Sequence, residues 1–259
     1  MDFTYKSYEE LIKTLRENNY TMCGYNNHNY DKCAILRHDV DQSTDKASKL
    51  ASIECNLGVK STYFFLLSSD FYNIASKKNY EAIHRIKAMG HEIGLHFDEM
   101  KYNTQNLDTH YTYDIHGTRY IRNPHGKIVD LVEKEIRIMS DILGVEILTV
   151  SMHRPSNETL VADYRFEKAV NTYSKTFFEE FKYLSDSRFN WRESVMDIVK
   201  SNTYKKLHIL THAFWYEERS MSGCEIIKDF VNSANSERYN QMKDNIKNID
   251  EFMTQEEVI

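Results

Sequence analysis

Short runs of apolar residues, rich in β-branched and aromatic side chains, alternate along this chain with longer stretches in which apolar residues recur every three or four positions. The first pattern predicts buried strands and the second predicts amphipathic helices. Their alternation is typical of βα units around a parallel sheet. Seven segments are predicted as strands: 33–38, 61–67, 91–97, 146–152, 168–173, 181–185 and 207–212.

Helical periodicity is clearest over 44–57 and 128–143, where the apolar side chains fall on one face. Two Ser-x-x-Glu sequences, beginning at Ser7 and Ser222, are typical of capping boxes. They predict an N-terminal helix over about 7–19 and a C-terminal helical segment over about 223–253.

Residues 98–127 have no clear period and many polar and aromatic side chains, which predicts a long loop. Loops of this length in compact domains are often lids or binding loops. The sequence has no internal repeat and no linker rich in Pro or Gly. We therefore predict one catalytic domain over 1–259.

The composition narrows the class of protein. Hydrophobic residues make up 41% and charged residues 28% of 259 residues, as in globular proteins with a sizeable core. The net charge of −6 and the lack of a long Lys/Arg run argue against a nucleic-acid partner. No stretch approaches the ~18 apolar residues of a membrane span, and the first residues lack the apolar segment of a signal peptide, so we expect a cytoplasmic protein. Four scattered cysteines without a CxxC pair predict neither disulfides nor a thiolate zinc site.

Acidic and imidazole side chains follow the predicted strands. Because ligands in parallel α/β folds bind where the carboxyl ends of the strands converge, these residues form a candidate site. The residues at five such ends are Asp39 and Asp41, His96 and Asp98, His153 and Arg154, Asp186, and His212.

Imidazole and carboxylate together suit zinc or another first-row divalent metal. Asp39 and Asp41 are two residues apart and would face the same side of an extended strand, where they repel unless a cation or proton intervenes. One carboxylate can bind the metal while the other accepts a proton from the attacking water. We therefore predict a divalent metal cofactor, with zinc as the first choice.

The motifs around these residues resemble those of the metal-dependent polysaccharide deacetylases of the chitin deacetylase type. The resemblance covers roughly residues 33–216 and rests on several motifs in order: "ILRHDVD", "KSTYFF", "GHEIGLH", "HRP" at 153–155, "SDSRFNW" at 185–191 and "LHILTH" at 207–212. It implies an α/β fold, a distorted (β/α) barrel with about seven parallel strands.

The resemblance also implies roles for individual residues. Asp39 would be the general base and His212 the general acid, and Asp41 and His96 would bind the metal. The remaining implied roles are to orient the base (Arg154), to tune His212 (Asp186) and to line the acyl pocket (Trp191).

One motif departs from that family, which usually has a second metal histidine one helical turn after the first. Four residues after His96 this chain has Met100, a poor zinc ligand. Our first candidate for the third ligand is His153, because it replaces imidazole with imidazole. Asp98 is the second candidate and Glu99 the third.

Aromatic residues close to the candidate site are expected to contact a sugar ring. Trp215 and Tyr216 follow His212, and Trp191 follows Asp186. Asp98, which follows the strand predicted over 91–97, is a further candidate substrate contact.

These residues predict a metal-dependent hydrolase that removes an N-acyl group, with acetyl as the first choice, from an amino sugar. The expected cytoplasmic location favours a nucleotide-linked or lipid-linked precursor of surface polysaccharide as the substrate. Two alternatives are a hydrolase of another small amide and a carbohydrate-binding pseudoenzyme that lost activity with the second metal histidine. Metal content separates the pseudoenzyme from both hydrolases.

Overall fold

The structure, a computed structural model, describes residues 1–102, 111–113, 119–121 and 124–258. The chain divides into two compact units, Met1–Tyr216 and Glu217–Ile259. This division does not test the single catalytic domain predicted over 1–259, which stays a prediction. Within the described ranges, no helix is long and apolar enough to cross a membrane.

An all-parallel sheet forms the centre of the first unit. Its strands are β1 (Thr21–Cys23), β2 (Cys33–Val40), β3 (Thr62–Phe65), β4 (Glu92–Asp98), β7 (Thr149–His153), β8 (Val170–Asn171), β9 (Lys182–Ser185) and β10 (Lys206–Thr211), with β5 (Tyr111–Tyr113) and β6 (Arg119–Ile121) forming a separate antiparallel pair. Seven strands follow the order β8-β7-β4-β3-β2-β10-β9, and β1 pairs with the first half of β2. All seven predicted strands are therefore confirmed, and β1 is an addition.

The sheet curls into an open barrel. Four strand steps separate β2 from β8, which would be roughly 19 Å in a flat sheet. Yet the Arg37 guanidinium on β2 lies 3.4 Å from the hydroxyl of Thr172, the residue directly after β8. An arginine side chain cannot span the flat distance, so the predicted (β/α) barrel architecture is confirmed.

Alternate residues of β2 face two different surroundings, as the two-residue period of a strand requires. Leu36 and Val40 belong to the large apolar cluster between the sheet and the helices. Ile35 packs instead with Phe64 and Phe177 in a smaller cluster. All eight residues of β2 are buried, which explains why this strand reads as a continuous apolar run before its charged end.

The helices of the first unit pack against this sheet. They are α1 (Tyr5–Glu17), α2 (Thr44–Asn56), α3 (Lys77–Ala88), α4 (Pro124–Leu143), α5 (Asn157–Val161) and α6 (Val195–Ser201). The predicted N-terminal helix begins earlier than expected, because the N-cap is Thr4, whose side chain accepts a hydrogen bond from the Ser7 N–H. Ser7 is therefore inside the helix.

The predicted loop over 98–127 contains regular structure where it is described. A 3-10 turn spans Glu99–Tyr102, the β5–β6 pair follows, and α4 begins at Pro124, four residues before its predicted start at 128. Proline suits the first turn of a helix, where its missing N–H would have no intrahelical partner. The parts of this prediction that fall on 103–110, 114–118 and 122–123 lie outside the described residues.

A buried polar network lies behind the charged end of β2. The Glu54 carboxylate of α2 accepts hydrogen bonds from Tyr8 (2.6 Å), Tyr63 (2.7 Å) and Ser61 (2.6 Å) and lies 2.9 Å from His38 Nε2. Burial alone would raise the Glu54 pKa, but His38 and His91 outweigh it and lower the pKa to about 2. These contacts tie the outer face of β2 to the helix layer, next to the residues that carry the candidate chemistry.

The second unit consists mainly of α7 (Gly223–Asn245) and two 3-10 turns, Ile249–Glu251 and Gln255–Glu257. The predicted capping box at Ser222 is confirmed, since the Ser222 hydroxyl accepts from the Glu225 N–H and the Glu225 carboxylate accepts from the Ser222 N–H. The helix ends eight residues before the predicted boundary at 253, where the chain turns at Ile246.

Candidate metal centre and active site

Three donor atoms from three different strand ends form a compact triangle. His96 Nε2 lies 3.3 Å from Asp41 Oδ1, His153 Nδ1 lies 3.4 Å from the same oxygen, and the two nitrogens are 3.1 Å apart. Ligands placed tetrahedrally at 2.0–2.1 Å from a zinc ion would be separated by roughly 3.3–3.4 Å. The donor atoms of Asp41, His96 and His153 therefore fit one divalent ion.

Hydrogen bonding around the triangle agrees with this fit. Asp41 Oδ1 is buried and has no hydrogen-bond partner among the described residues. On the far side of the His96 ring, Nδ1 lies 2.6 Å from the Ser151 hydroxyl of β7, the strand paired with β4. With the ring hydrogen on Nδ1, the lone pair of Nε2 points at Asp41, which is the arrangement that metal-binding histidines need.

The charges of the triangle also suit a cation. Burial, followed by the neighbouring His96, lowers the pKa of His153, so that its ring is neutral and able to donate a lone pair at neutral pH. Burial raises the pKa of Asp41, but the neighbouring imidazoles, His96 first among them, outweigh burial, so the pKa is lowered and the side chain is a carboxylate at neutral pH. One carboxylate and two imidazoles are a typical donor set for zinc.

The other two candidate ligands are engaged elsewhere. Asp98 pairs with Arg154 (3.0 Å) and accepts a hydrogen bond from the Met100 N–H (3.0 Å). The Glu99 carboxylate accepts from the Ser156 N–H and from the Thr159 hydroxyl at the start of α5. Neither carboxylate is part of the triangle, so His153 is the candidate that the geometry favours.

Asp186 and His212 form a hydrogen-bonded pair beside the triangle. His212 Nδ1 lies 2.6 Å from Asp186 Oδ1, and the His212 N–H donates to Asp186 Oδ2 at 2.8 Å. The other ring nitrogen, Nε2, lies 3.8 Å from Asp41 Oδ2. Burial alone would lower the His212 pKa, but Asp186, together with Asp41 and Asp39, outweighs it and raises the pKa to about 9.

Asp39 is held by an arginine that the resemblance does not point to. Arg37 donates from Nε to Asp39 Oδ1 (2.9 Å) and from Nη2 to Asp39 Oδ2 (2.8 Å). Arg154, predicted to orient Asp39, is instead paired with Asp98 and is 66% exposed. Arg154 directly follows β7 and has a left-handed backbone (φ 49°). The prediction for Arg154 is therefore corrected, because another side chain occupies the Asp39 oxygens.

The predicted aromatic contacts differ in their exposure. Tyr216 is 0% exposed, and its hydroxyl lies 2.9 Å from that of Thr211, so it packs in the core and cannot form a substrate wall. The sequence placed it only by its closeness to His212. Trp191 and Trp215 are half-buried: Trp191 stacks on Phe3 at 6.3 Å, and the ring of Trp215 packs against a neighbouring phenylalanine. Both stay candidates for a substrate contact, as does Asp98.

Besides Arg37, two polar residues of the site were missed in the sequence. Ser151 lies two residues before His153, and Thr211 directly precedes His212 and donates a hydrogen bond to Asp186. Both are small hydroxyl side chains inside apolar strands, where only the strand pairing reveals their histidine or carboxylate partner.

The chain is similar to several solved structures. Wild-type BA3943 from Bacillus anthracis, described as a CE4 family pseudoenzyme, shares 15% identity over 80% of this chain and 63% of that chain, with a TM-score of 0.43. The polysaccharide deacetylase Bc1974 from Bacillus cereus shares 14% identity over 80% and 88%, with a TM-score of 0.40. A family 4 acetyl xylan esterase from Clostridium thermocellum, solved with a cobalt ion, shares 14% identity over 79% and 84%, with a TM-score of 0.38.

Of these three structures, Bc1974 is described as a polysaccharide deacetylase. This chain spans less than two thirds of the length of BA3943. No family model and no curated protein matches the sequence. The roles proposed below therefore rest on the contacts of this chain.

Proposed function

We propose that this chain is a metal-dependent hydrolase that removes an N-acetyl group from an amino sugar or from its nucleotide-linked or lipid-linked precursor. The observation that carries the proposal is the convergence of a three-donor metal triangle, an arginine-held carboxylate and an Asp–His pair at one end of a parallel barrel. Each of these groups has a distinct task in amide hydrolysis.

Asp41, His96 and His153 are the residues that would hold the ion. When bound, a divalent metal polarises the acyl carbonyl and makes the attacking water more acidic. Asp39 Oδ2 lies 3.6 Å from His96 Nε2, so this carboxylate borders the metal triangle without belonging to it. Burial raises the Asp39 pKa, but Arg37 outweighs burial and holds it well below the usual range, so Asp39 is an anion at neutral pH.

Amide hydrolysis then follows from the positions of these groups. Asp39 accepts a proton from the attacking water as the water oxygen bonds to the acyl carbon. The Nδ1 of His212 is fixed on Asp186, and its Nε2 donates a proton to the leaving nitrogen as the C–N bond breaks. The products are acetate and a free amino sugar. The raised pKa of His212, about 9, keeps this acid protonated at neutral pH.

The pH dependence of this acid is testable through Asp186. The acid form of His212 is present below its pKa and is lost as pH rises through about 9, and an ion beside Asp41 would draw this limb to lower pH. We expect Asp186→Asn to move the basic limb of kcat/KM further down, towards the ordinary histidine value of 6.5, because the carboxylate that raises the pKa most is removed. Asp98→Asn, a carboxylate paired with Arg154, is the control and should leave the limb in place. An unmoved limb in Asp186→Asn contradicts the assigned acid.

The function is tested by metal analysis of the purified protein and a mass-spectrometric screen. The zinc-loaded protein is incubated with UDP-N-acetylglucosamine, with N-acetylglucosamine oligomers and with small cyclic amides. Loss of one acetyl group from either sugar supports the proposal. Bound metal with turnover of the small amides alone supports the small-amide alternative, and a protein that binds the sugars without metal or turnover is the pseudoenzyme.

A further inference from the structure

Arg37 is a fully buried charge. Its side chain has 0% exposure, which is rare for an arginine unless the guanidinium is paired and hydrogen-bonded. The sequence "ILRHDVD" gives no role to this residue in the family that the chain resembles. Its contacts therefore show what the charge is used for.

Four hydrogen bonds hold the guanidinium. Two go to the two oxygens of Asp39, at 2.9 and 2.8 Å, and two more go to the Thr172 hydroxyl (3.4 Å) and the Tyr173 hydroxyl (3.3 Å). The group also lies over the rings of Phe64 (5.5 Å) and Tyr173 (4.8 Å). A planar guanidinium with these hydrogen bonds and ring contacts has little freedom to rotate. The Asp39 carboxylate, which accepts two hydrogen bonds from it, is therefore also fixed in orientation.

The strand geometry explains this pairing. Arg37 and Asp39 are two residues apart on β2, so both side chains point to the same side of the sheet. Asp39 therefore approaches the metal triangle with its orientation set from within its own strand. Arg154 is not needed to orient the Asp39 carboxylate.

Arg154 has a different environment. Its guanidinium lies 3.0 Å from Asp98 Oδ2, and the side chain is 66% exposed. An exposed ion pair is solvated and screened, and it holds its partners weakly. In position and in rigidity, Arg154 is a poor candidate for fixing a carboxylate that is itself buried.

We infer that Arg37, and not Arg154, is the positioning residue that holds the Asp39 carboxylate in the orientation required for proton acceptance. The inference rests on the proposed function for what Asp39 does, but the contact itself is independent of that function. A purely structural ion pair would stabilise the fold and leave kcat unaffected in folded protein.

The kinetic test is a double-mutant cycle with zinc-loaded protein and UDP-N-acetylglucosamine. We expect Arg37→Lys, which keeps the charge but loses the fork, to lower kcat by about 10²-fold with little change in KM and with zinc retained. In an Asp39→Asn background, Arg37→Lys should lower kcat by less than about threefold, because Arg37 affects kcat only by orienting the Asp39 carboxylate.

Two comparison variants sharpen the cycle. Tyr25→Phe removes a buried hydrogen bond to His208 (2.7 Å) inside the barrel, whereas the Asp39 carboxylate is hydrogen-bonded to Arg37, so Tyr25→Phe should couple to Asp39→Asn much more weakly than Arg37→Lys does. We expect the fold loss in kcat of Arg154→Met to be smaller than that of Arg37→Lys by a factor of about 10 or more. Equal losses in Arg154→Met and Arg37→Lys, or an undiminished effect of Arg37→Lys in the Asp39→Asn background, overturn the inference.

A crystallographic measurement separates this inference from the proposed function. Crystal structures of zinc-loaded wild type, Arg37→Lys and Arg154→Met are compared at the Asp39 carboxylate, which should turn in Arg37→Lys and stay in Arg154→Met. An unturned carboxylate in Arg37→Lys overturns the inference even if the enzyme deacetylates sugars. If the wild type turns over none of the sugars, the proposed function fails, and the turned carboxylate still supports the role of Arg37. Should Arg37→Lys not fold, Arg37→Gln provides the same comparison.

Discussion

We expect Asp39→Asn and His212→Ala each to lower kcat by about 10²–10⁴-fold while metal content stays at the wild-type level. Asparagine cannot accept the proton of the attacking water, and alanine cannot supply one to the leaving nitrogen. Neither residue belongs to the metal triangle of Asp41, His96 and His153, so neither change removes a proposed ligand. The measurements are steady-state kinetics on UDP-N-acetylglucosamine and metal analysis of the same preparations.

Stability is the main alternative cause of such losses, because Asp39→Asn disturbs a buried ion pair with Arg37. Urea denaturation of each variant, with Tyr25→Phe as a control for a lost interior hydrogen bond, separates unfolding from lost catalysis. We expect folded variants with KM close to the wild-type value. Wild-type turnover in both variants would mean that the acid–base assignment is wrong even if the metal centre is real.

Most of the sheet was predictable because β2, β3, β4, β7 and β10 are short, mostly buried strands rich in apolar residues. β2 is the clearest case, with every residue from Cys33 to Val40 buried. Strand β1 was missed because only Cys23 among its three residues is buried, and α3 because its apolar positions are few among charged ones. Short, partly exposed elements are stabilised by their partners in the fold, which the local sequence does not contain.

The candidate site was predictable at the level of which strand ends converge, but not at the level of which side chains touch. The two-residue spacing places Arg37 and Asp39 on one face of β2 but does not show that they touch, and the resemblance directed attention to Arg154. The left-handed backbone of Arg154 and its pairing with Asp98 depend on the turn after β7. Tyr216 shows the same limit, because closeness to His212 along the chain does not reveal which way a side chain faces.

The third metal ligand gives the other large expected effect. We expect His153→Ala, like Asp41→Ala and His96→Ala, to weaken zinc binding by more than about 100-fold, since even residues that only support ligands typically contribute 10–100-fold. The reason is the mutual spacing of the three donors, 3.1–3.4 Å, which lets one ion contact all of them. Zinc affinity is measured by competition with a chelator of known affinity.

Carboxylates near His153 provide the matched controls. Asp98→Asn and Glu99→Gln alter the other two candidate ligands, whose oxygens are already bound to Arg154 and to the start of α5, so both variants should retain zinc. A crystal structure with zinc should place His153 Nδ1 about 2.0–2.1 Å from the ion. If Asp98→Asn loses zinc while His153→Ala keeps it, the carboxylate is the third ligand. The imidazole of His153 would then be only a neighbour of His96, and the site would have two carboxylate ligands and one imidazole.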